Sequence, residues 1–224
     1  MEHPGTMVFV KPRPGAVDLA ELQFQLFARY RSAPGAPVND MQLSMMNHWD
    51  LRPIPALHQL LGEDVVFAIT CGLQAPTSRG SVTLTSPDPA DAPQIDLNLL
   101  ATTADRDALI AGARVCRDIA LTSAFESRTR ELGVLPLGAF DDDEAMGNYV
   151  SSFCVPWYHA SGTCRMGPSP ASGDVVDQYG RVHGTKNLRI FDASIMPVIP
   201  RANTNVSVIA LAERAAELLR AGPA

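Results

Sequence analysis

Residues 157–167 read WYHASGTCRMG, and residues 187–197 read NLRIFDASIMP. In the first stretch, His159 stands in a turn rich in Gly, Ser and Thr. The second stretch opens with a predicted short strand, Asn187–Phe191, that ends in small polar residues. A helix is predicted to open at Asn203–Asn205 and to carry the chain to its end. An imidazole, a strand end and a polar helix start would form an active site if folding brought them together.

His159 is the leading candidate for acid–base chemistry. Its neighbours Trp157 and Tyr158 are expected to shield the imidazole from water and to tune its pKa. The small residues at 161–163 permit the close approach of a ligand. A lone histidine is more often structural, so on these residues alone both interpretations stay open.

Polar residues beside the last two predicted elements are candidates for binding. Asn203 or Asn205 could be the N-cap of the final helix, an explanation that fits one asparagine more easily than two. Asp192, Ala193 and Ser194 follow the predicted strand, where free backbone N–H groups can face a ligand.

Composition and charge exclude several classes of protein. Of the 224 residues, 46% are hydrophobic and 19% charged, which is ordinary for a globular protein. A net charge of -6 argues against a general nucleic-acid binder. No apolar run approaches the roughly 20 residues of a membrane span, and the first residues do not resemble a secretory signal. We therefore expect a cytoplasmic protein.

The cysteines predict no metal site. The spacing Cys154-x4-His159-x4-Cys164 fits none of the usual zinc patterns. We expect these thiols, together with Cys71 and Cys116, to be reduced and mostly buried.

Periodicity predicts a mixture of strands and helices. The predicted elements are strands over Val65–Thr70 and residues 81–85, an amphipathic helix over Asp105–Leu121, a helix capped by Asp141 and Glu144, and a last helix over about Asn205–Arg220. Val82 and Leu84 alternate with polar residues, as expected of a half-buried strand. The last helix begins almost wholly apolar, so its N-terminal half is expected to be deeply buried.

Two early segments allow more than one structure. Leu19–Tyr30 fits either a short helix or an extended segment. Met41–Trp49 fits a strand or a loop, and its side chains could line a pocket or fill a methionine-rich core.

The C-terminal stretch resembles the signature of the glucose–methanol–choline (GMC) family of flavin-dependent alcohol oxidoreductases. The matching residues are His159-x-x-Gly162-Thr163-x-x-Met166-Gly167, Asp177-x-x-Gly180-Arg181-Val182-x-Gly184, Asn187-Leu188-Arg189-Ile190-x-Asp192-Ala193-Ser194-x-Met196-Pro197, Asn203-Thr204-Asn205 and Ala212-Glu213-Arg214-Ala215-Ala216. The resemblance implies an α+β fold (α/β in the parent fold), with an antiparallel-sheet substrate domain and packed helices. The C-terminal strand and helix of an FAD-binding domain complete it. Residues 1–156 would then form the substrate-binding part, and residues 157–224 the histidine turn and the returning piece of the FAD-binding domain.

The same resemblance implies roles for individual residues. His159 falls on the family's catalytic histidine, and Asn203 on the position of a second catalytic His or Asn. Asp192 and Ala193 fall in a stretch that contacts the ribityl–phosphate region of the flavin, and Asn205 would face the flavin end of the site. The implied reaction oxidises a small-molecule alcohol, with His159 taking the hydroxyl proton and FAD taking a hydride. A cyanohydrin-lyase-like reaction in the same fold is the alternative.

The first half of the family's pattern is not found in this sequence. None of the sixteen glycines forms a GxGxxG-type loop after a strand, and no acidic residue stands at the distance that would hold an adenosine ribose. The ADP half of FAD is therefore expected to be bound elsewhere. A second chain could supply that half, the sequence could be a fragment of a longer enzyme, or it could be a non-catalytic binding module.

Overall fold

The computed structural model describes residues 1–133 and 137–221, with the side chain of Leu137 left aside. In chain order the strands and helices are β1 (Pro4–Pro12), β2 (Phe24–Tyr30), β3 (Met41–Asp50), α1 (Pro55–Leu61), β4 (Val65–Leu73), β5 (Ser81–Thr83), β6 (Gln94–Asp96), α2 (Thr103–Ala120), α3 (Ser123–Glu126), β7 (Thr129–Leu132), α4 (Asp143–Ser152), β8 (Val155–Pro156) and α5 (Asn205–Arg220). Within these described ranges, no helix is long and apolar enough to cross a membrane.

The chain divides into two compact units, each built from separate stretches of sequence. The first, called here the sheet unit, comprises Pro4–Leu73 and Thr102–Val155. The second, called the histidine unit, comprises Met1–His3, Gln74–Ala101 and Pro156–Ala224. Residues 1–3 and 74–101 therefore pack with the C-terminal part of the chain. The functional assignment of residues 1–156 and 157–224 stays a prediction.

An antiparallel sheet forms the centre of the sheet unit. Its strands lie in the order β2-β3-β4-β1-β7, and each neighbouring pair is antiparallel. The central strand β4 is buried almost throughout, as its β-branched and aromatic run predicts. The predicted amphipathic helix is confirmed as α2, whose Leu109, Ala113 and Cys116 are fully buried. The predicted antiparallel sheet with packed helices is thus confirmed.

Both ambiguous early segments form strands. In Leu19–Tyr30, the first residues form a turn and a bend, and Phe24–Tyr30 forms β2, an edge strand whose side chains are mostly exposed. Met41–Trp49 lies in β3, where Met41 is completely buried. Met45 and Met46 also line a cavity of about 210 Å³ in the sheet unit. The segment therefore both fills the core and lines a pocket.

The half-buried strand predicted around Val82 exists, but its burial was predicted wrongly. β5 pairs only with β6, in a two-stranded ribbon. Val82, Leu84 and Ile95 are 50%, 86% and 63% exposed. The alternation predicts a strand packed on a core, but a two-stranded ribbon needs a covering layer before either face is buried.

Two helix predictions also need correction. The cap of α4 is Asp142, which accepts the Ala145 N–H at 2.9 Å. The predicted cap, Asp141, instead ends the preceding 3-10 turn and pairs with Arg117 at 2.8 Å. The bounds of α5 are confirmed, but its N-terminal half is not deeply buried. Val206 is 74% exposed and Ile209 is 54% exposed.

The packing of α2 on the sheet can be tested with two equivalent glycine substitutions. A Cβ at Gly112 of α2 would lie 2.5 Å from Met41 Cε and 2.9 Å from Cys71 Sγ, whereas a Cβ at Gly147 of α4 would have nothing within 4 Å. Gly147→Ala is expected to raise the free energy of unfolding by roughly 0.5–1 kcal/mol through helix propensity. Gly112→Ala should not raise the free energy of unfolding, since the overpacking of its Cβ costs about 1–3 kcal/mol. Urea unfolding measures both, and equal stabilisation by the two changes would contradict this packing.

Candidate active site

The strand predicted over Asn187–Phe191 is absent. An isolated β-bridge joins Arg181 to Arg189, and the Ile190 N–H donates to the Gly180 carbonyl at 2.9 Å. Asn187 has a φ of 60°, which turns the backbone out of the extended conformation. Residues 187–191 therefore form one side of an irregular hairpin and not a regular ladder.

Backbone hydrogen bonds hold the histidine turn beside the Asp192 turn. Three N–H groups of the histidine turn donate to three carbonyl oxygens of the Asp192 turn. These bonds join Gly162 to Ala193 at 3.1 Å, Cys164 to Ser194 at 2.9 Å, and Met166 to Ile195 at 2.9 Å. Asp192 caps the 3-10 turn Ala193–Ile195 by accepting the Ser194 N–H at 2.7 Å. The Ser194 N–H is therefore not free to face a ligand, contrary to the expectation for this turn.

Gly162 is required by the geometry of the turn. Its φ is +83°, a conformation that L side chains rarely adopt. A Cβ there would also lie 2.6 Å from Met1 Cε and 3.1 Å from the Met196 carbonyl oxygen. The glycine of the signature thus has a structural cause.

The residue before His159 is strained. Tyr158 has a φ of 62° and is 90% exposed, so it does not shield the imidazole as expected. Left-handed backbone at a bulky residue costs of order 1–3 kcal/mol and persists only where the surroundings impose it. Here the conformation leads directly into His159, which is only 8% exposed.

The Glu2 carboxylate holds the backbone of His159. Both of its oxygens accept the His159 N–H at 2.9 Å, and Oε1 accepts the His3 N–H at 2.7 Å. Glu2 and His3 were missed in the sequence because they lie 157 and 156 residues from His159. Only their titratable side chains, adjacent at the start of the chain, could have singled them out.

The rings of His3 and His159 are hydrogen-bonded. Their Nδ1 atoms are 2.9 Å apart, and the ring planes meet at 80°. Burial, and next the charge of His159, lowers the pKa of His3 to about 4. Burial also lowers the pKa of His159, although Glu2 partly offsets this. Both rings are therefore neutral at neutral pH.

The structure brings Asn203 to the other side of the His159 ring. Asn203 Nδ2 lies 3.3 Å from His159 Nε2. Neither predicted asparagine is the helix cap, since Thr204 occupies that position without a side-chain cap bond. Asn205 is the exposed first residue of α5.

A cavity lies beside the histidine turn, within the histidine unit. Its volume is about 380 Å³, and Ser161, Asp192 and Ala193 contribute to its wall together with the β5–β6 ribbon. Ser161 Oγ is buried without a hydrogen-bond partner among the described residues. An orphaned hydroxyl at a cavity wall fits a polar ligand better than an apolar one.

Known relatives match most of this chain but only part of their own length. The oxygen-dependent choline dehydrogenase of Chromohalobacter salexigens is 38% identical over 154 residues, 69% of this chain and 27% of the relative. An alcohol dehydrogenase (acceptor) of Pseudomonas putida is 40% identical over 64% of this chain and 26% of the relative. The versicolorin B synthase of Aspergillus parasiticus is 36% identical over 70% of this chain and 24% of the relative. The chain spans about a quarter of the length of these relatives.

Solved structures share the fold. The pyridoxine 4-oxidase from Mesorbium loti superposes with a TM-score of 0.83 at 23% identity, covering 100% of this chain and 43% of that one. The formate oxidase of Aspergillus oryzae RIB40, in a variant made to study FAD modification, superposes with a TM-score of 0.81 at 23% identity. The match covers 99% of this chain and 46% of that one. A profile of the GMC oxidoreductases matches residues 76–212, more than half of the chain. The chain therefore belongs to the GMC oxidoreductases, a family whose cofactor is FAD, and it matches their C-terminal portion.

Proposed function

We propose that this chain supplies the acid–base half of a flavin-dependent alcohol oxidoreductase. The observation that carries the proposal is a buried His159 whose Nε2 lies 3.3 Å from Asn203 Nδ2. The two groups lie at hydrogen-bond distance from each other, so a hydroxyl group that inserts between them can donate to the imidazole and accept from the amide. The relatives named choline dehydrogenase and alcohol dehydrogenase support an alcohol as the substrate.

Each side chain has one task in the proposed reaction. His159 Nε2 accepts the hydroxyl proton, and the Asn203 amide donates to the substrate oxygen and fixes its orientation. When bound, FAD supplies the two-electron acceptor for the hydride that leaves the substrate carbon as the carbonyl forms. Removing the proton strengthens the carbon as a hydride donor, and a positioned base is typically worth about 10²–10⁴-fold in rate.

The residues beside the histidine turn fit part of FAD. Ser161 provides a buried hydroxyl that lacks a partner among the described residues, and Asp192 and Ala193 line the same cavity. We assign Asp192 and Ala193 to the ribityl–phosphate region, where a carboxylate can accept from a ribityl hydroxyl and a small side chain permits close approach. Asn205 is assigned to the flavin end of the site.

Polypeptide outside these 224 residues is proposed to bind the rest of FAD, as a second chain or as the remainder of a longer one. The sequence has no GxGxxG-type loop, and the fold shared with pyridoxine 4-oxidase is only 43% of that protein. The histidine unit also has an apolar groove of about 390 Å³, which the exposed Val198 lines together with Ala210 and Leu211 of α5. The same helix exposes Val206 and Ile209. An apolar face of this kind is typical of a surface that another polypeptide covers.

The base can be tested in the assembled flavoprotein. His159→Ala is expected to slow anaerobic flavin reduction by about 10²–10⁴-fold without changing the flavin content. Stopped-flow bleaching of the flavin measures this, with a panel of alcohols that includes choline and pyridoxine. His58→Ala, at a half-exposed histidine of the sheet unit, is the control and should leave the rate unchanged. Unchanged reduction by His159→Ala would refute the proposal. Cleavage of an added cyanohydrin to a carbonyl compound and hydrogen cyanide, without bleaching, would replace it with the lyase-like alternative.

The pH dependence of flavin reduction tests the environment of His159. The base acts in its neutral form, so the rate should rise with pH through the pKa of His159 and be flat above it. Because burial lowers this pKa, the rise should lie below about pH 6.5, the ordinary histidine value. Glu2→Gln removes the charge that raises the pKa and should move the rise to still lower pH. A rise centred above pH 7 would contradict this environment.

The exposed face of α5 predicts where the FAD-binding half docks. Ile209→Asp should weaken binding of the separately expressed half at least about 10-fold, since burying such a side chain is worth about 1.5–3 kcal/mol. Leu219→Asp is the matched control, because it lies on the same helix with a similar exposure, 57% against 54%. Titration calorimetry gives both dissociation constants. Equal constants for the two variants would exclude this face as the docking surface.

A further inference from the structure

The His3–His159 contact couples the tautomers of two neutral rings. Each neutral imidazole carries one N–H and one lone pair. At 2.9 Å between the Nδ1 atoms, one atom must donate and the other must accept. The position of the hydrogen on His3 therefore dictates its position on His159.

The other neighbour of the His159 ring decides between the two arrangements. On the far side of His159, the Asn203 amide group approaches Nε2 at 3.3 Å as a donor, which requires a lone pair there. His159 therefore carries its hydrogen on Nδ1 and donates it to His3 Nδ1. His3 then carries its own hydrogen on Nε2, a buried atom without a hydrogen-bond partner among the described residues.

We propose that His3 is a positioning residue that fixes His159 in the tautomer with Nδ1–H directed at His3 and a lone pair on Nε2, which accepts from Asn203 until a substrate hydroxyl inserts between the two side chains. The inference rests on the proposed role of His159 as a base and specifies how the chain prepares it. In the opposite tautomer Nε2 would carry a hydrogen and could not accept a proton.

The arrangement also suits the moment after proton transfer. When Nε2 takes the hydroxyl proton, the hydrogen on Nδ1 stays in place and continues to donate to His3. No rotation or tautomer exchange is needed in either ring. Glu2 supports this geometry because the same carboxylate holds the backbone N–H groups of His3 and His159.

Two changes at His3 separate hydrogen bonding from packing. His3→Leu removes the acceptor, whereas His3→Asn can offer its side-chain oxygen at the place of Nδ1. In the assembled flavoprotein, His3→Leu is expected to slow flavin reduction at least 10-fold with little change in KM. His3→Asn should recover most of that loss. Equal loss in both variants would indicate packing alone and overturn the proposal.

The tautomer itself can be read without catalysis. Two-bond ¹H–¹⁵N correlation spectra of the full chain with ¹⁵N-labelled histidine distinguish protonated from unprotonated ring nitrogens. We expect His159 to be protonated at Nδ1 and unprotonated at Nε2, and His3 to show the reverse. His3→Leu should convert His159 to a mixture of tautomers. A wild-type His159 protonated at Nε2 would refute the inference. The expected spectrum combined with normal flavin reduction by His159→Ala would instead refute the proposed function.

Discussion

The site is organised by a buried carboxylate that accepts hydrogen bonds from backbone N–H groups on two distant segments. Glu2 is 5% exposed and accepts from His159 with both oxygens and from His3 with one. Burying a charge is unfavourable unless hydrogen bonds satisfy it, so this clamp forms only when both segments are in place. The Met1 carbonyl adds a further link by accepting the Ser161 N–H at 2.9 Å. The ring-to-ring contact and the direction of His159 Nε2 both follow from this clamp.

The signature of the family divides into residues that build the turn and residues available for chemistry. Gly162 is needed for its backbone conformation, and a Cβ at Gly167 would fall 2.1 Å from an Asp174 carboxylate oxygen. Asp177 accepts the N–H groups of Tyr179 and Arg181 and thereby closes a turn. These residues give the histidine its position. The proposed chemistry then needs only an imidazole, an amide and a cavity wall.

Local patterns predicted the elements well, and long-range packing explains where they failed. The helices α2 and α5 were found because helical periodicity and cap signals are local. The burial of Val82 and of the start of α5 was predicted wrongly, because an apolar face shows only that something can cover it. The predicted strand 187–191 forms only a single bridge, because residues 180–182 are its one partner and a ladder needs a longer one. In the site, His159 and Asn203 could be proposed from a shared signature. The Glu2–His3 contribution could not, since no local pattern encodes a contact across more than 150 residues.

In the proposed enzyme, this chain handles the proton and another part of the protein holds most of FAD. The most direct measurement titrates this chain into the separately expressed, flavin-loaded half while following anaerobic bleaching of the flavin by an alcohol. The account predicts negligible bleaching by the flavin-loaded half alone, with a rate that rises on addition of this chain and saturates at one equivalent. Full bleaching without this chain, or no increase upon adding it, would contradict the account.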